Sequence, residues 1–356
     1  MLGSLPARAN GFDTIRIFAA TAVLVSHAFA LTGFIEPFEQ TTGGMTLGNV
    51  AVAVFFVISG YLIAASFERS SPAGFLEKRA RRIMPGLAVA IVLSVLVLGP
   101  LVTTLPIGSY FRSHETWRYL QGIVFLNRYN LPGVFTDHPN TAVNGSLWTL
   151  TFEVGCYMLA MILMAMRRWR LWAVAAVWLL CLVAAQVLAG NQNGVWFYIA
   201  RMLDLFRYFG AGMMVYLCRD RLPIHSGAAM LALMGTVAAA YTPFFCAALA
   251  TLGAYALMVF AFCCPGWFRE LSAKGDISYG VYIYAFPIQQ LLVPWCRHTA
   301  VPWAWNIALS LPLVMAAGLL SWVLVERPML KRRRAALSGS PPPLRPGAEP
   351  GAAFDG

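Results

Sequence analysis

The chain has 356 residues, of which 59% are hydrophobic and only 12% are charged, and its formal net charge is +11. A soluble domain of this length is about half apolar and about a quarter charged, so the composition excludes a soluble protein and indicates a membrane protein. The net positive charge would suit nucleic acid as a partner, but the positions of the charges in the chain exclude that class.

Apolar segments follow one another along the whole chain, and most reach the roughly 20 residues that a helix needs to cross a bilayer. We therefore predict an all-α, polytopic integral membrane protein with about ten transmembrane helices. The segment at 226–241 is short, and its boundaries are the least defined. The predicted spans are 11–34, 46–67, 83–105, 143–166, 171–189, 195–218, 226–241, 243–264, 276–296 and 303–325.

The 26 Lys and Arg residues lie mostly in every second loop. If the N-terminus is cytoplasmic, most of them face the cytoplasm, and few remain in the outer loops. This asymmetry is typical of the positive-inside rule, so we predict that both termini are cytoplasmic and that the surrounding partner is the lipid bilayer. Nucleic acid is not implied.

The first apolar segment has a second interpretation, as a cleaved signal peptide. Arg8 and Arg16 would precede an apolar stretch at 17–25, and the small residues at 28–30 would form the cleavage site. Cleavage would leave nine spans and would disturb the alternation of charge between the loops. We therefore favour a retained helix.

Residues 1–334 are predicted to form one transmembrane domain. Residues 335–356 are rich in Ser, Pro, Gly and Ala, which predicts a disordered cytoplasmic tail. The seven cysteines lie in or beside apolar segments without metal-like spacing, so we expect neither a disulfide nor a structural metal. The long outer segment 106–142 contains an apolar stretch at 117–126 that is too short to span and predicts a re-entrant or interfacial helix.

Polar side chains share one face of the first segment. Arg16 and His27 are eleven residues apart, which aligns them on a helix at a separation of about 16 Å. Asp13 lies three residues before Arg16, so these two can pair. Ionisable residues inside a membrane are costly and commonly line a site or a path, and histidine suits a general base. The alternative is a core histidine bonded to a neighbouring helix, with the arginine reaching the inner interface.

The loop before the third span is denser in cations than membrane topology requires. Arg69, Arg79 and Arg82 lie there, and the last two share a helix face. Guanidinium groups match phosphates, so this region could hold the phosphates of a nucleotide-bearing donor. A positive-inside loop that binds lipid headgroups explains the composition equally well.

Two further spans carry ionisable groups. Glu153 in the fourth span lies at about the predicted depth of His27, where it could orient the imidazole or hold a substrate hydroxyl, and it should have a partner. In the sixth span Arg201 or Arg207 could simply neutralise Asp204. These residues alone favour an enzyme and a transporter about equally.

Taken in order, the motifs resemble the membrane acyltransferase-3 family, which acylates cell-surface carbohydrates. The resemblance extends over about residues 9–328. The residues that match the family's motifs are Phe12, Asp13, Arg16 and His27; Phe55 to Tyr61; Arg79, Arg82 and Pro85; Ser146, Trp148 and Glu153; Arg207 to Gly210; Ile277 to Tyr284; and Val325 to Pro328.

The resemblance implies a ten-helix transferase that takes acyl groups, often acetyl from acetyl-CoA, at the cytoplasmic side. Such a transferase would deliver the acyl groups to a sugar hydroxyl at the outer side of the bacterial inner membrane. The first-helix Arg and His that the family requires are Arg16 and His27 here. Many members carry a second His before the proline of the ninth-span motif, where this chain has Ala285 and Phe286. Fused members add an esterase-like domain, which is not predicted here.

We therefore predict an O-acyltransferase with no bound cofactor and no metal, with acyl-CoA as co-substrate and a carbohydrate as acceptor. His27 would activate the acceptor hydroxyl or relay the acyl group, with Glu153 supporting it. Asp13 and Arg16 would organise the donor passage. The residues predicted to bind substrate are Arg69, Arg79, Arg82, Ser146, Trp148, Arg207 and Tyr282.

Two other classes stay open. A secondary transporter or flippase would use the ionisable residues as a path, and it would be expected to show inverted repeats, of which we detect none. A membrane scaffold without catalytic activity would leave the aligned Arg16 and His27 without a purpose.

Overall fold

The computed structural model describes residues 10–188, 190, 194–272 and 275–330, and every regular element within these ranges is helical. The predicted tail at 335–356 lies outside the described residues. The long helices are α1 (Phe12–Thr32), α2 (Leu47–Glu68), α3 (Pro72–Val102), α4 (Gly145–Ala165), α5 (Arg167–Val187), α6 (Gly194–Leu217), α7 (Ser226–Ala239), α8 (Phe245–Cys263), α9 (Ser278–Cys296) and α10 (Pro302–Leu330).

Seven of these helices, α1 to α5, α8 and α10, are long and apolar enough to cross a membrane. The prediction of an all-α membrane fold is confirmed. The count of ten stays a prediction, because the other three helices differ from simple spans. Helix α6 carries Arg201, Asp204 and Arg207, α7 has only 14 residues, and α9 carries the buried amides of Gln289 and Gln290.

The helix ends follow local sequence signals. The Thr46 side chain accepts a hydrogen bond from the Asn49 amide at 3.0 Å, which caps the start of α2. Ser71 caps α3 in the same way through the Gly74 amide at 3.2 Å. Helix α1 ends at Gly33, whose φ of 82° is a left-handed conformation that glycine adopts without strain.

The centre of the molecule is built around α1, which packs against α2, α9 and α10. This packing is what the prediction of a retained first helix requires, and cleavage itself is not tested by it. Helices α2 and α6 approach each other most closely, because a Cβ atom on Gly60 would collide with the Phe209 carbonyl and one on Gly212 with the Val57 carbonyl. By contrast, α5 and α10 bury little of their apolar surface, which is expected of helices that face lipid.

The segment between α3 and α4 folds over one end of the bundle. It contains the short helices Ile107–Arg112 and His114–Arg118 and a 3₁₀ helix at Tyr119–Val124, so the stretch predicted to be helical at 117–126 is largely helical. Its position in the membrane interface stays a prediction. The Asn127 amide donates to the Leu147 carbonyl and the Thr151 hydroxyl, each at 3.0 Å. These bonds fix the start of α4, which carries site residues.

Candidate active site

A large cavity of about 730 Å³ lies between α1, α2, α3, α4, α9 and α10. We call it the inner cavity. Its volume falls in the range of about 300–1,000 Å³ typical of small-molecule sites. Glu153 is the one carboxylate among the described residues that line it. The lining is otherwise strongly cationic, with Arg16, Lys78, Arg79, Arg81, Arg82 and Arg327.

A network of ion pairs closes one side of the inner cavity. Asp276, just before α9, accepts from Arg82 and, at 3.4 Å, from Arg16. Arg82 also donates to Glu326 at 3.4 Å, and Glu326 is only 1% exposed. Asp13 lies 3.9 Å from Arg16, so the predicted pairing of Asp13 with Arg16 is confirmed, although Asp276 is the closer partner.

The backbone of α10 helps to place Glu326 in this network. Residues Trp322–Glu326 form a π-helical turn, which shifts the register of the side chains within an otherwise α-helical segment. The Ser321 hydroxyl donates to the second carboxylate oxygen of Glu326 at 3.0 Å. The Trp322 ring lies beside the Arg82 guanidinium, at 5.7 Å from its central carbon. Arg82 therefore has protein partners from two other parts of the chain, and its predicted contact with substrate stays a prediction.

Arg79 differs from Arg82, although both lie on the same face of α3. Its Nε atom is buried and has no hydrogen-bond partner among the described residues. It lies in the field of Glu153, Arg16 and Arg82 but forms no ion pair within the described part of the chain. A buried donor without a partner is costly in a folded protein, so Arg79 is well placed to meet an anionic ligand.

Glu153 projects into the inner cavity from α4. It accepts hydrogen bonds from the Tyr157 hydroxyl one turn further along and from the Ser59 hydroxyl of α2 at 3.3 Å. The prediction that Glu153 has a partner is confirmed. Ser59 is buried, and it directly precedes Gly60, where α2 packs closely against α6.

A second, smaller cavity of about 170 Å³ lies beside the first, and we call it the outer cavity. Its lining has no Lys or Arg among the described residues, and it includes Glu36, Glu39 and Asp204. Glu36 is 5% exposed and anchors the loop after α1. It accepts from the Ser26 hydroxyl at 2.6 Å and from the Leu47 amide at 2.8 Å.

His27 lines the outer cavity, together with Trp148. The Nδ1 atom of His27 is buried and has no hydrogen-bond partner among the described residues. Its ring packs edge-to-face against Phe286, with the ring centres 5.1 Å apart. A core histidine normally finds a partner on a neighbouring helix. The structural and the catalytic interpretations of His27 both stay predictions.

The predicted catalytic residues are thus divided between the two cavities. Arg16 and Glu153 line the inner cavity, whereas His27 lines the outer one. The depth of Glu153 in α4 suggested that it would support the imidazole, but its hydrogen bonds go to Tyr157 and Ser59. Two residues at similar depth on different helices can face different cavities, because the rotation of each helix decides where its side chains point.

The predicted substrate-binding residues are also divided. Trp148 lines the outer cavity, Arg79 and Arg82 the inner cavity, and Tyr282 both. Ser146, Arg207 and Arg69 line neither. Ser146 is buried beneath Tyr282, Arg207 is 5% exposed and paired with Asp204, and Arg69 is exposed at the end of α2. Arg207 forms an ion pair with Asp204, as expected from the simpler interpretation that it neutralises this carboxylate.

Sequence reasoning missed three buried carboxylates at the site. Glu36 stands alone between Ile35 and Pro37, and Asp276 directly precedes the Ile277–Ser278 start of the ninth-span motif. Glu326 belonged to a motif that was recognised, but it received no role. An isolated acid at the edge of an apolar segment is a signal that would have identified all three, because burying an unpaired carboxylate is costly.

Comparison with known proteins supports the family resemblance of the motifs. The sequence model of the acyltransferase-3 family, described as an acyltransferase domain, matches residues 9–327. An O-acetyl transferase of Shigella phage Sf6 is 32% identical over 346 residues, covering 93% of this chain and 99% of that protein. Nodulation protein 10 of Rhizobium leguminosarum bv. viciae is 30% identical, covering 92% of this chain and 95% of that protein.

The chain belongs to the acyltransferase-3 family. The exopolysaccharide production protein ExoZ of Rhizobium meliloti (strain 1021) is also similar, at 27% identity over 83% of this chain and 94% of that protein. No solved structure shows a significant match. The resemblance stated from the motifs is therefore confirmed, and the protein is a multi-pass membrane acyltransferase.

The two cavities of this acyltransferase differ in the charge of their lining residues. The inner cavity is cationic, which favours a ligand with several negative charges. The outer cavity combines an imidazole, an indole and carboxylates. An indole stacks on the apolar face of a ring, and a carboxylate accepts from hydroxyl groups, so this lining suits an uncharged polyhydroxyl compound. A nitrogen base in the lining of the outer cavity is a group that can take up a proton from a hydroxyl bound there.

Proposed function

We propose that the protein transfers an acyl group, in the simplest case acetyl, from cytoplasmic acyl-CoA to a hydroxyl of a carbohydrate at the outer face of the bacterial inner membrane. The observation that carries the proposal is the placement of His27, with an unpartnered buried Nδ1, in an outer cavity directly beside a cationic inner cavity. Neither cavity alone would bring a charged donor and a neutral acceptor to one imidazole.

The donor occupies the inner cavity in this proposal. Arg79 meets a phosphate of acyl-CoA, since it lines the inner cavity and its buried Nε has no hydrogen-bond partner among the described residues. Lys78 and Arg81 line the same region and add positive potential. The ion pairs of Arg82 with Asp276 and Glu326 hold one side of the inner cavity in place. Arg16 lies between these ion pairs and the donor.

The acceptor occupies the outer cavity, where the sugar ring stacks on Trp148 and one hydroxyl approaches His27. The acceptor oxygen attacks the thioester carbonyl carbon, and the new C–O bond forms as the C–S bond breaks. His27 takes the hydroxyl proton and returns it to the departing CoA thiolate, so the imidazole ends in its starting state. The names of the phage O-acetyl transferase and of ExoZ support acetyl and a surface polysaccharide as candidates for the acyl group and acceptor.

The purified protein in proteoliposomes tests this proposal directly. With acetyl-CoA and octyl β-glucoside as the acceptor, we expect the release of free CoA thiol and an acetylated glucoside that mass spectrometry identifies. Export of a glycan without consumption of acyl-CoA would instead support the transporter or flippase. Mass spectrometry of surface glycans from a deletion strain would then identify the natural acceptor.

The distribution of Lys and Arg predicts the orientation in the membrane. A reporter fused after Arg334 should be cytoplasmic, and one inserted at Asn191 should be external, because the even number of predicted spans places both termini on the inner side. Alkaline phosphatase and green fluorescent protein fusions measure the two positions. Finding both positions on the same side would contradict the ten-span topology.

Replacing Arg79 by alanine should raise the KM for acyl-CoA roughly tenfold to a hundredfold, because a hydrogen bond to a charged group contributes about 1.5–3 kcal/mol. The KM for the acceptor should stay nearly unchanged. Steady-state kinetics with each substrate varied in turn measures the two values.

Arg168 supplies the matched control, since it is exposed and lines neither cavity. The Arg168→Ala variant should keep the wild-type KM values. If Arg69→Ala raises the donor KM and Arg79→Ala does not, the phosphates bind at the exposed end of α2, and the assignment to the inner cavity is wrong.

A further inference from the structure

A thin wall separates the two cavities. Val52 of α2 and Tyr282 of α9 are the residues that line both. The cationic donor region with Arg79 lies on one side of this wall, and His27 lies on the other. Any group that passes from one cavity to the other must therefore pass these two side chains.

Tyr282 is held firmly in the wall. Its hydroxyl donates to the Ser146 carbonyl at 2.9 Å and lies 2.6 Å from the Thr149 hydroxyl, so it links α9 to the start of α4. Its ring meets Phe55 of α2 edge-on, with the ring centres 5.8 Å apart, and the residue is 7% exposed. Val52 completes the wall from α2. The width of the passage thus depends on a fixed aromatic ring and one small aliphatic side chain.

The direction of approach gives the wall a chemical consequence. If the phosphates of acyl-CoA lie among the cations of the inner cavity, the acyl chain is the leading end of the donor. This chain reaches the wall before the thioester carbonyl can reach His27. Beyond the wall only about 170 Å³ is available, and the acceptor hydroxyl must share that space. Each added methylene therefore meets the wall and competes with the acceptor.

We propose that Val52 and Tyr282 form an acyl-length filter, which lets a chain of two carbons reach His27 and hinders chains of four or more. The proposal rests on the proposed function, since it requires acyl-CoA to enter through the inner cavity. Both side chains are specificity-determining and take no part in the bond changes. The bond changes and the proton transfer are the same for acyl chains of every length.

Size variants at Val52 test the filter. Proteoliposomes of the whole protein are supplied with acetyl-, butyryl- or hexanoyl-CoA and octyl β-glucoside, and thiol release gives kcat/KM for each donor. Val52→Ala should raise the ratio of butyryl to acetyl kcat/KM about tenfold or more, because a single methylene in an apolar pocket changes discrimination by at least about that factor. Val52→Phe should lower the ratio and should also slow acetyl transfer, while acyl-CoA binding measured by calorimetry is kept.

Val54 provides the matched control. It lies two residues further along α2, packs against the core and lines neither cavity. Val54→Ala and Val54→Phe should keep the wild-type ratio. In a second pair, Tyr282→Leu should raise the ratio and Tyr284→Leu should not, since Tyr284 also lines neither cavity.

The possible outcomes separate the filter from the function on which it rests. If the wild-type protein consumes no acyl-CoA, the proposed function fails and the filter fails with it. If it consumes acyl-CoA and folded Val52 variants of both sizes keep the wild-type ratio, the filter alone is wrong. Opposite shifts with the smaller and the larger side chain, absent at Val54, would support it.

Discussion

Replacing His27 by alanine should lower acyl transfer about 10²–10⁴-fold, which is the usual contribution of a positioned general base. The imidazole lines the outer cavity, which is where the proposed acceptor hydroxyl binds. Acyl-CoA binding should be unchanged, because the cationic lining belongs to the other cavity. Initial rates of acetyl transfer and calorimetric titration of acetyl-CoA measure the two effects.

A glutamine at the same position separates chemistry from packing. His27→Gln keeps much of the volume against Phe286 and some hydrogen-bonding capacity, yet it should be nearly as inactive as the alanine variant, because an amide cannot take up the proton. His114→Gln, on the exposed short helix of the outer segment, is the control and should be fully active. Near-normal turnover in a monodisperse His27→Gln protein would show that the histidine is structural, and Glu153 would become the candidate base.

The second large effect is expected on stability and not on chemistry. Arg82→Ala should lower the free energy of unfolding by about 3–5 kcal/mol, the usual cost of removing one partner from a buried ion pair. Among the described residues, the change would leave Asp276 with Arg16 as its one close cationic partner and Glu326 without any, although Glu326 is almost fully buried. Denaturant titration in detergent, followed by tryptophan fluorescence, measures the loss.

Arg79→Ala is the natural comparison, because Arg79 lies on the same helix face and has no ion pair to lose within the described part of the chain. It should destabilise the protein much less than Arg82→Ala while weakening donor binding more. Neutralising the partners as well, with Asp276→Asn and Glu326→Gln, should recover part of the stability lost in Arg82→Ala. Equal stability of the two single variants would contradict the structural role of Arg82.

Features that depend on neighbours in the chain were predictable. Asp13 and Arg16 pair because residues three apart on a helix are adjacent, and this geometry needs no knowledge of the fold. The helical membrane architecture follows from the apolar segments in the same way, and the motif order was sufficient to identify the family. The alignment of Arg16 with His27 on α1 also follows from the helical repeat alone.

Features that depend on helix rotation and on distant contacts were not predictable. The sequence places Glu153 at about the depth of His27, but only the packing of α4 against α2 brings the Ser59 hydroxyl to it and places it in the other cavity. Likewise the ion pairs of Arg82 form only when α3, α9 and α10 are brought together. Its carboxylate partners lie 194 and 244 residues further along the chain.

The sequence by itself therefore determined which groups are costly to bury, because a charged or polar side chain in an apolar helix is unfavourable whatever the fold. It thereby singled out Arg16, His27, Arg79 and Glu153. Only the tertiary structure decided how that cost is met, since a partner is defined by distance in space. Arg82 is neutralised by Asp276 and Glu326, whereas His27 and Arg79 keep buried atoms without a protein partner, on opposite sides of a wall formed by residues from two separate helices.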